Sequence, residues 1–292
     1  MSGLVGIDWG TTHRRAYRLD ADGALVDERS DDQGLLAVAG RCADAFEAVL
    51  AGWPGHLPVV MSGMVGAASG WQEVPYVSAD VPLADLPRHL VPLRDAPAGR
   101  RAWLVPGLRH DGPDGRVEVM RGEETQLLGA LALAGGDGCF VFPGTHSKWV
   151  QVAGGRVTGW RTYMTGELFA LLGRQGTLAA LVGDDDHPPA FVDGLRAAAD
   201  GPLSHTLFGC RARVVAGRMP ASHARSWLSG LLIGAEWHDR PAPTAAVVLV
   251  ASDALAGPHR VAAAQHGVDV RVLAPRDVHL AALRVLSKGV SA

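Results

Sequence analysis

The chain has 292 residues, 48% of them hydrophobic, with 27 Lys plus Arg against 30 Asp plus Glu and a net charge of −3. That length and apolar content supply a core for two domains or one large one, and exclude a disordered chain. The near balance of charge excludes a protein built to coat nucleic acid or an anionic membrane, and no run approaches the ~20 uncharged apolar residues needed to span a bilayer.

In chain order, an apolar strand is predicted over 4–7, ending at Asp8, then a strand over 15–19, a turn at 20–23 and a strand over 24–26. A helix is predicted over 42–50, with Phe46, Val49 and Leu50 on its apolar face. Residues 58–62 read as a buried strand running into the glycine-rich turn 63–66, and residues 69–118 are the least periodic part, with one strand at 102–105. A helix over 123–133 turns Leu127, Leu128, Leu131 and Ala132 inward and ends at Gly135-Gly136, where a lobe boundary is placed. Strands at 139–142 and 149–152 flank a polar turn, and a further strand covers 157–163. Residues 165–239 read as mainly helical, broken by the acidic loop Asp184-Asp185-Asp186. The clearest helix is 222–238, with Trp227, Leu228, Leu231, Leu232 and Ala235 in one stripe; its Gly230 and Gly234 would permit close approach of another backbone. A strand at 247–250, a helix, a strand at 268–273 and a last helix capped by Asp277 and ending before Gly289 complete the chain. Two halves thus echo each other: each begins with a strand, a small polar turn and a returning strand.

Cys42, Cys139 and Cys210 form no CxxC or Cys/His cluster, so a reducing cytoplasm is expected rather than a disulfide framework or zinc site. The first ten residues lack the regions of a signal peptide. Of the 27 cations 25 are Arg, and only Lys148 and Lys288 are Lys.

Three motifs carry chemistry. Asp8-Trp9-Gly10-Thr11-Thr12 delivers an aspartate, a glycine and two hydroxyls at a turn between strands. Glycine lets backbone N–H groups approach an anion, the hydroxyls can donate to phosphate oxygens, and Asp8 could hold a hydrated Mg²⁺. Pro143-Gly144-Thr145-His146-Ser147-Lys148 repeats those ingredients and adds one of the rare lysines, a point cation suited to phosphate. Arg121-Gly122-Glu123-Glu124 opens a helix, where one carboxylate is accounted for by the helix dipole and the other could act as general base toward a hydroxyl. Thr162-Tyr163-Met164-Thr165-Gly166-Glu167 reads as a strand-to-helix junction, and Val250-Ala251-Ser252-Asp253 as a strand-to-helix loop of the kind that meets ligands.

The order of these motifs resembles the actin-like ATPase superfamily of sugar kinases, heat-shock ATPases and actin. The blocks Ile7-Asp8-Trp9-Gly10-Thr11-Thr12, Val59-Val60-Met61-Ser62-Gly63-Met64-Val65-Gly66, Met120-Arg121-Gly122-Glu123-Glu124-Thr125-Gln126, Pro143-Gly144-Thr145-His146-Ser147-Lys148-Trp149-Val150, Met164-Thr165-Gly166-Glu167 and Leu228-Ser229-Gly230-Leu231-Leu232-Ile233-Gly234-Ala235-Glu236 together look like the 2-dehydro-3-deoxygalactonokinase family. The resemblance implies an α/β, two-lobed actin-like ATPase (ribonuclease H-like) fold with a nucleotide cleft between lobes. Residues 1–135 would carry the first phosphate loop and substrate contacts. Residues 136–292 would carry the second phosphate loop, the helical insertion and the adenosine-binding region. It implies ATP-dependent phosphorylation of 2-dehydro-3-deoxy-D-galactonate at its terminal hydroxyl, with ATP and Mg²⁺ as cofactors.

Carried over, Asp8, Gly10, Thr11 and Thr12 belong to the first phosphate loop, and Gly144, Thr145, His146, Ser147 and Lys148 to the second. Ala251 and Ser252 fall in the adenosine region, which lacks the glycine-rich signature, and His13 stands where the family more often has Asn. Glu123 or Glu124 takes the place of the base; the sequence leaves that choice open. The substrate's carboxylate calls for a cation, with Arg15, Arg121 and Arg161 as candidates, and Met64, Thr165 and Glu167 stand on the substrate side. Rival readings are a kinase of the same superfamily for another sugar acid, or a nucleotide-dependent sensor without catalysis. No nucleic-acid or membrane partner is expected, and a homodimer is compatible with the sequence.

Overall fold

The computed structural model describes residues 3–112, 114–180, 186–241 and 246–290, so Asp184 and Asp185 of the acidic loop lie outside the described residues. The first sheet has the order Leu25–Asp31, Arg14–Leu19, Leu4–Trp9, Val59–Ser62, Ala102–Leu104, Val91–Pro92. Each of its first three strands pairs antiparallel with its neighbour among them, while Leu4–Trp9, Val59–Ser62 and Ala102–Leu104 run parallel. Alternation sorts the central strand into two faces. Val5, Ile7 and Trp9 join Phe46, Val49 and Leu50 of the helix Cys42–Leu50 in one core. Gly6 and Asp8 face the other way, where a Cβ on Gly6 would lie 2.2 Å from the Leu283 side chain of the last helix.

A second sheet has the order Arg156–Tyr163, Ser147–Ala153, Gly138–Phe142, Ala246–Val250, Asp269–Leu273. Gly138–Phe142 and Ala246–Val250 are parallel. Leaving aside the edge strand Val91–Pro92, both sheets place their strands in the order third, second, first, fourth, fifth. The echo seen in the sequence is therefore a repeated topology, in which the first two strands of each sheet are joined by a polar turn. Residues 69–118 supply 3₁₀ turns and a small sheet of Val77–Ser78, Leu108–Asp111 and Val117–Met120.

The chain divides into two compact units. One comprises the segment up to Asp137, Gln151–Gly159 and the segment from Leu273 onward; the other comprises Gly138–Val150 and Trp160–Val272. Two segments placed by the sequence with the second half, 151–159 and the last helix, are thus grouped with the first unit.

Backbone proximity governs the helix pairs. Within the first unit, Glu123–Ala134 meets Pro275–Val290 so closely that a Cβ on Gly129 would sit 1.8 Å from the Val278 carbonyl oxygen. That contact turns Gly129 and Ala130 inward and leaves Ala132 exposed, unlike the predicted face. Gly289 does not end the last helix, which continues to Val290; a Cβ there would lie 2.2 Å from the Pro87 carbonyl oxygen. Asp277 lies in the first turn of that helix, after its start at Pro275, rather than capping it.

Within the second unit, Pro188–Ala197 and Ala224–His238 cross with Gly194 and Gly230 in the seam. Added Cβ atoms would lie 2.0 Å from the Trp227 oxygen and 1.9 Å from the Phe191 oxygen, respectively. Gly234, 2.8 Å from the Leu195 oxygen by the same measure, completes the close approach read from the sequence. Among the described residues no helix is long and apolar enough to cross a membrane. Gly230→Ala should lower stability by about 1–3 kcal/mol in urea unfolding, because overpacking against backbone outweighs the ~1 kcal/mol gained in helix propensity. An unchanged or raised midpoint would contradict this seam.

Candidate active site

In the first unit, the turn after Trp9 is built by hydrogen bonds directed inward. The Gly10 N–H donates to the His13 oxygen at 2.9 Å, and the carbonyls of Gly10, Thr11 and Thr12 accept from Leu35, Leu36 and Gly34. A Cβ on Gly34 would lie 2.4 Å from the Thr12 carbonyl carbon, so the turn rests directly on that glycine. Its carbonyls are thereby occupied, and the Thr11 and Thr12 side chains are left exposed. Asp8 sits just before the turn, its side chain 23% exposed and its Oδ2 3.6 Å from Nη1 of Arg15, its cross-strand partner. Arg15 is thus already paired with an anion.

Two further backbones close on this point. Gly63, at φ 93°, has room for no side chain, since a Cβ would be 2.7 Å from the Trp9 oxygen. Gly122, at φ 106°, has its own Cβ position 3.4 Å from the Gly63 Cα. The half-buried Met64 follows Gly63 in a 3₁₀ turn, and the carboxylate pair follows Gly122.

The two glutamates differ sharply. Glu124 is 0% exposed. It accepts the Gly122 N–H on Oε2 at 2.6 Å and the Thr125 hydroxyl on Oε1 at 2.9 Å. Burial, and next the adjacent Glu123 charge, push its pKa up to about 8. Glu123 is only half-buried, and its Oε2 accepts from the Arg121 N–H at 3.2 Å. Arg121 lays its guanidinium 4.4 Å over the Tyr76 ring and donates from Nη2 to the Val74 oxygen at 2.7 Å. Its Nε and Nη1 are buried without a protein acceptor.

In the second unit, Gly144, Thr145 and His146 form an exposed turn, but Ser147 and Lys148 belong to the following strand. Lys148 is 4% exposed, and its Nζ donates to the His146 oxygen at 3.1 Å. It braces the turn from inside rather than offering the exposed cation suggested by the sequence. The helix Thr165–Leu172 abuts the turn: Glu167 N–H donates to the Thr145 oxygen at 3.0 Å, and a Cβ on Gly166 would lie 2.4 Å from the Gly144 oxygen. His146 Nε2 lies 2.5 Å from Glu167 Oε2.

Beneath the turn Glu236, 1% exposed, accepts from Trp149 Nε1 and from the Thr165 hydroxyl, each at 2.6 Å. Burial raises its pKa, opposed by these donors and by the Ser147 hydroxyl. Thr165 therefore has its hydroxyl engaged internally. In the sequence Glu236 is marked only as the end of the block Leu228–Glu236; its donors lie 71 and 87 positions away, out of reach of local pattern. Arg161 is occupied as well: its Nη1 contacts the Asp239 backbone oxygen and lies 3.1 Å from Asp239 Oδ1, at the end of the helix Ala224–His238.

Ala251 is buried, and Ser252 is the exposed N-cap of Asp253–Gln265. The open space lies one turn further on. A cavity of about 430 Å³ is lined by Phe169, Arg225, Ser229, Gly257, Pro258 and Val261, among others. The Arg225 guanidinium stands 5.0 Å from the Phe169 ring centroid.

The sequence profile of the 2-keto-3-deoxy-galactonokinase family matches residues 8–286. A 2-dehydro-3-deoxygalactonokinase of Escherichia coli (strain K12) is 36% identical over 98% of each chain. A probable enzyme of the same name from Rhizobium meliloti (strain 1021) is 35% identical, covering 98% of this chain and 97% of its own. A solved structure of a 2-dehydro-3-deoxygalactonokinase-type protein from Sinorhizobium meliloti agrees at a TM-score of 0.89 with 34% identity, covering 98% of this chain and 96% of the other. The α/β class and the division into two compact units expected from the sequence are thus found.

The buried carboxyl generates a pH test. Burial pushes the Glu124 carboxyl from its ordinary value of 4.5 up to about 8, so between these limits the folded form holds a proton that the unfolded form has released. Its contribution is therefore fully present below ~4.5, declines as pH rises and is lost above the folded value. In thermal melts from pH 5 to 9, Glu124→Gln should lose less stability with rising pH than the unsubstituted protein. Parallel curves would show that Glu124 does not titrate in this range.

Proposed function

The chain belongs to the 2-keto-3-deoxy-galactonokinase family, and from that premise we propose that it transfers the terminal phosphoryl of ATP to the C6 hydroxyl of 2-dehydro-3-deoxy-D-galactonate. The products are 2-dehydro-3-deoxy-6-phosphogalactonate and ADP. The observation that carries this is the family match across residues 8–286. An ATP-using enzyme of sugar-acid breakdown belongs in the cytoplasm.

Phosphoryl transfer asks a protein chiefly to position groups and stabilise charge. Glu123 is the base in this reading, because it keeps surface for a hydroxyl while Glu124 has both oxygens engaged and is fully buried. Glu124 then fixes the Gly122 backbone on which Glu123 is mounted. As the new O–P bond forms and the bond from the γ-phosphorus to the bridging oxygen breaks, the hydroxyl proton passes to Glu123.

Arg121 is the receptor for the substrate carboxylate. Its guanidinium is held by Tyr76 and Val74, and two of its nitrogens lack a protein acceptor. Arg15 and Arg161 are less suited, being already paired with Asp8 and Asp239. The exposed Thr11 and Thr12 of the first turn, and Gly144 and Thr145 of the second, are phosphate-contacting groups. The nucleobase occupies the cavity of about 430 Å³ beside Phe169 and Arg225.

Among the described residues no group of three or more His, Cys, Asp or Glu could hold a metal. A single carboxylate at a phosphate turn nevertheless fits Mg²⁺, which takes one or two carboxylates and otherwise nucleotide oxygens and water. Asp8 would hold it, and when bound it would neutralise charge on the phosphates.

Glu123→Gln should reduce kcat roughly 10²–10⁴-fold with ATP binding retained. An ADP-release assay on 2-dehydro-3-deoxygalactonate, run beside its gluconate epimer, tests both base and substrate. Turnover near that of the unsubstituted enzyme would remove Glu123 from the role, and preference for another sugar acid would redirect the substrate. Arg121→Lys should raise KM for the sugar acid by about 10–100-fold, the scale of a charged bidentate pair, with KM for ATP unmoved. A rise in KM for ATP alone would place Arg121 on the nucleotide side.

A further inference from the structure

The turn 143–146 is joined to the helix Thr165–Leu172 by three links of different kinds. Two involve only backbone: the contact of Gly166 with the Gly144 oxygen and the hydrogen bond from the Glu167 N–H to the Thr145 oxygen at 3.0 Å. These would seat the turn whatever side chain stood at position 167. The third, at 2.5 Å between His146 Nε2 and Glu167 Oε2, joins side chains 21 positions apart in sequence. As an architectural tie it contributes little, because His146 is 47% and Glu167 35% exposed, and an exposed pair is screened by water. Its effect on the imidazole is larger. A carboxylate on Nε2 fixes the ring's orientation, and the protonated ring then has Nδ1–H for a second anion. The ring is also mounted on a braced backbone, since Lys148 Nζ donates to the His146 oxygen from within.

We propose that His146 contacts the nucleotide's phosphates and that Glu167 is its positioning residue, the imidazolium donating Nε2–H to Glu167 and Nδ1–H to a phosphate oxygen. This rests on the reading of 143–146 as a phosphate turn. It moves Glu167 from the sugar-acid side, where the resemblance set it, to the nucleotide side. Neither contact makes or breaks a covalent bond. The charged groups around the ring are Glu167 on the abutting helix and Lys148 on its own strand. Glu236, on Ala224–His238, lies beneath and is engaged by Trp149 and Thr165.

The test is calorimetric titration of ATP with magnesium chloride, without sugar acid, near neutral pH, on proteins whose thermal melts establish folding. Glu167→Gln and His146→Gln should each weaken ATP binding about 10-fold near neutral pH, the scale of one charge-assisted hydrogen bond. The double variant should lose no more than the weaker-binding single. ATP affinity within about twofold of the unsubstituted protein in either variant would overturn the proposal at that ~10-fold scale. So would losses that multiply in the double variant. A protein that binds ATP with these properties but phosphorylates no sugar acid would sink the kinase reading and leave this one standing. A protein that does not bind ATP would end both.

Discussion

Contact between backbones, with no side chain between them, is the constraint on which the rest of the first unit's site depends. Gly34 supports the turn after Trp9, Gly63 lies against the Trp9 oxygen, and Gly122 lies over Gly63. A Cβ at Gly34 or Gly63 would come within 3 Å of main-chain atoms that have no rotamer with which to give way. The carboxylate pair is therefore carried to the end of the Asp8 strand by the stacking of main chain. The second unit repeats the device once, with Gly166 against the Gly144 oxygen.

Each of these contacts is backed by a buried acid. Glu124 receives a backbone N–H and a hydroxyl behind the first arrangement, and Glu236 receives an indole N–H and a hydroxyl behind the second. Burial penalises the charge of both, and their donors offset part of that penalty. The parallel gives a physical division of labour: the inner acid of each unit fixes its surroundings, Glu124 the Gly122 backbone and Glu236 the Trp149 and Thr165 side chains, while a partly exposed acid of the same unit's arrangement or of the helix that abuts it, Glu123 or Glu167, keeps surface for a ligand.

What could be read from the sequence was whatever depends on local order. Strand, polar turn and strand recur at both Asp8 and Pro143, and the topology follows; Gly230 and Gly234 announced a close helix crossing. What could not be read depended on partners remote in sequence. Lys148 looks like a free cation until the strand register turns it inward, and Arg161 looks available until Asp239 arrives 78 positions later. Gly289 mimics a helix stop because its reason, the Pro87 carbonyl, lies in the least periodic part of the chain. The choice between Glu123 and Glu124 was undecidable for the same cause: adjacent residues on a helix differ by about 100° in direction, and only the packing decides which points inward.

The grouping of the last helix with the first unit bears on how the protein is made. Gly129 is shaped to receive Val278, so the face of Glu123–Ala134 that contains it has no cover until Val278 has been made. The second unit's own segments run only to Val272. The N-terminal unit, although synthesised first, is thus the last to be finished. In the interval its apolar helix face is a surface for chaperones, and for other nascent chains.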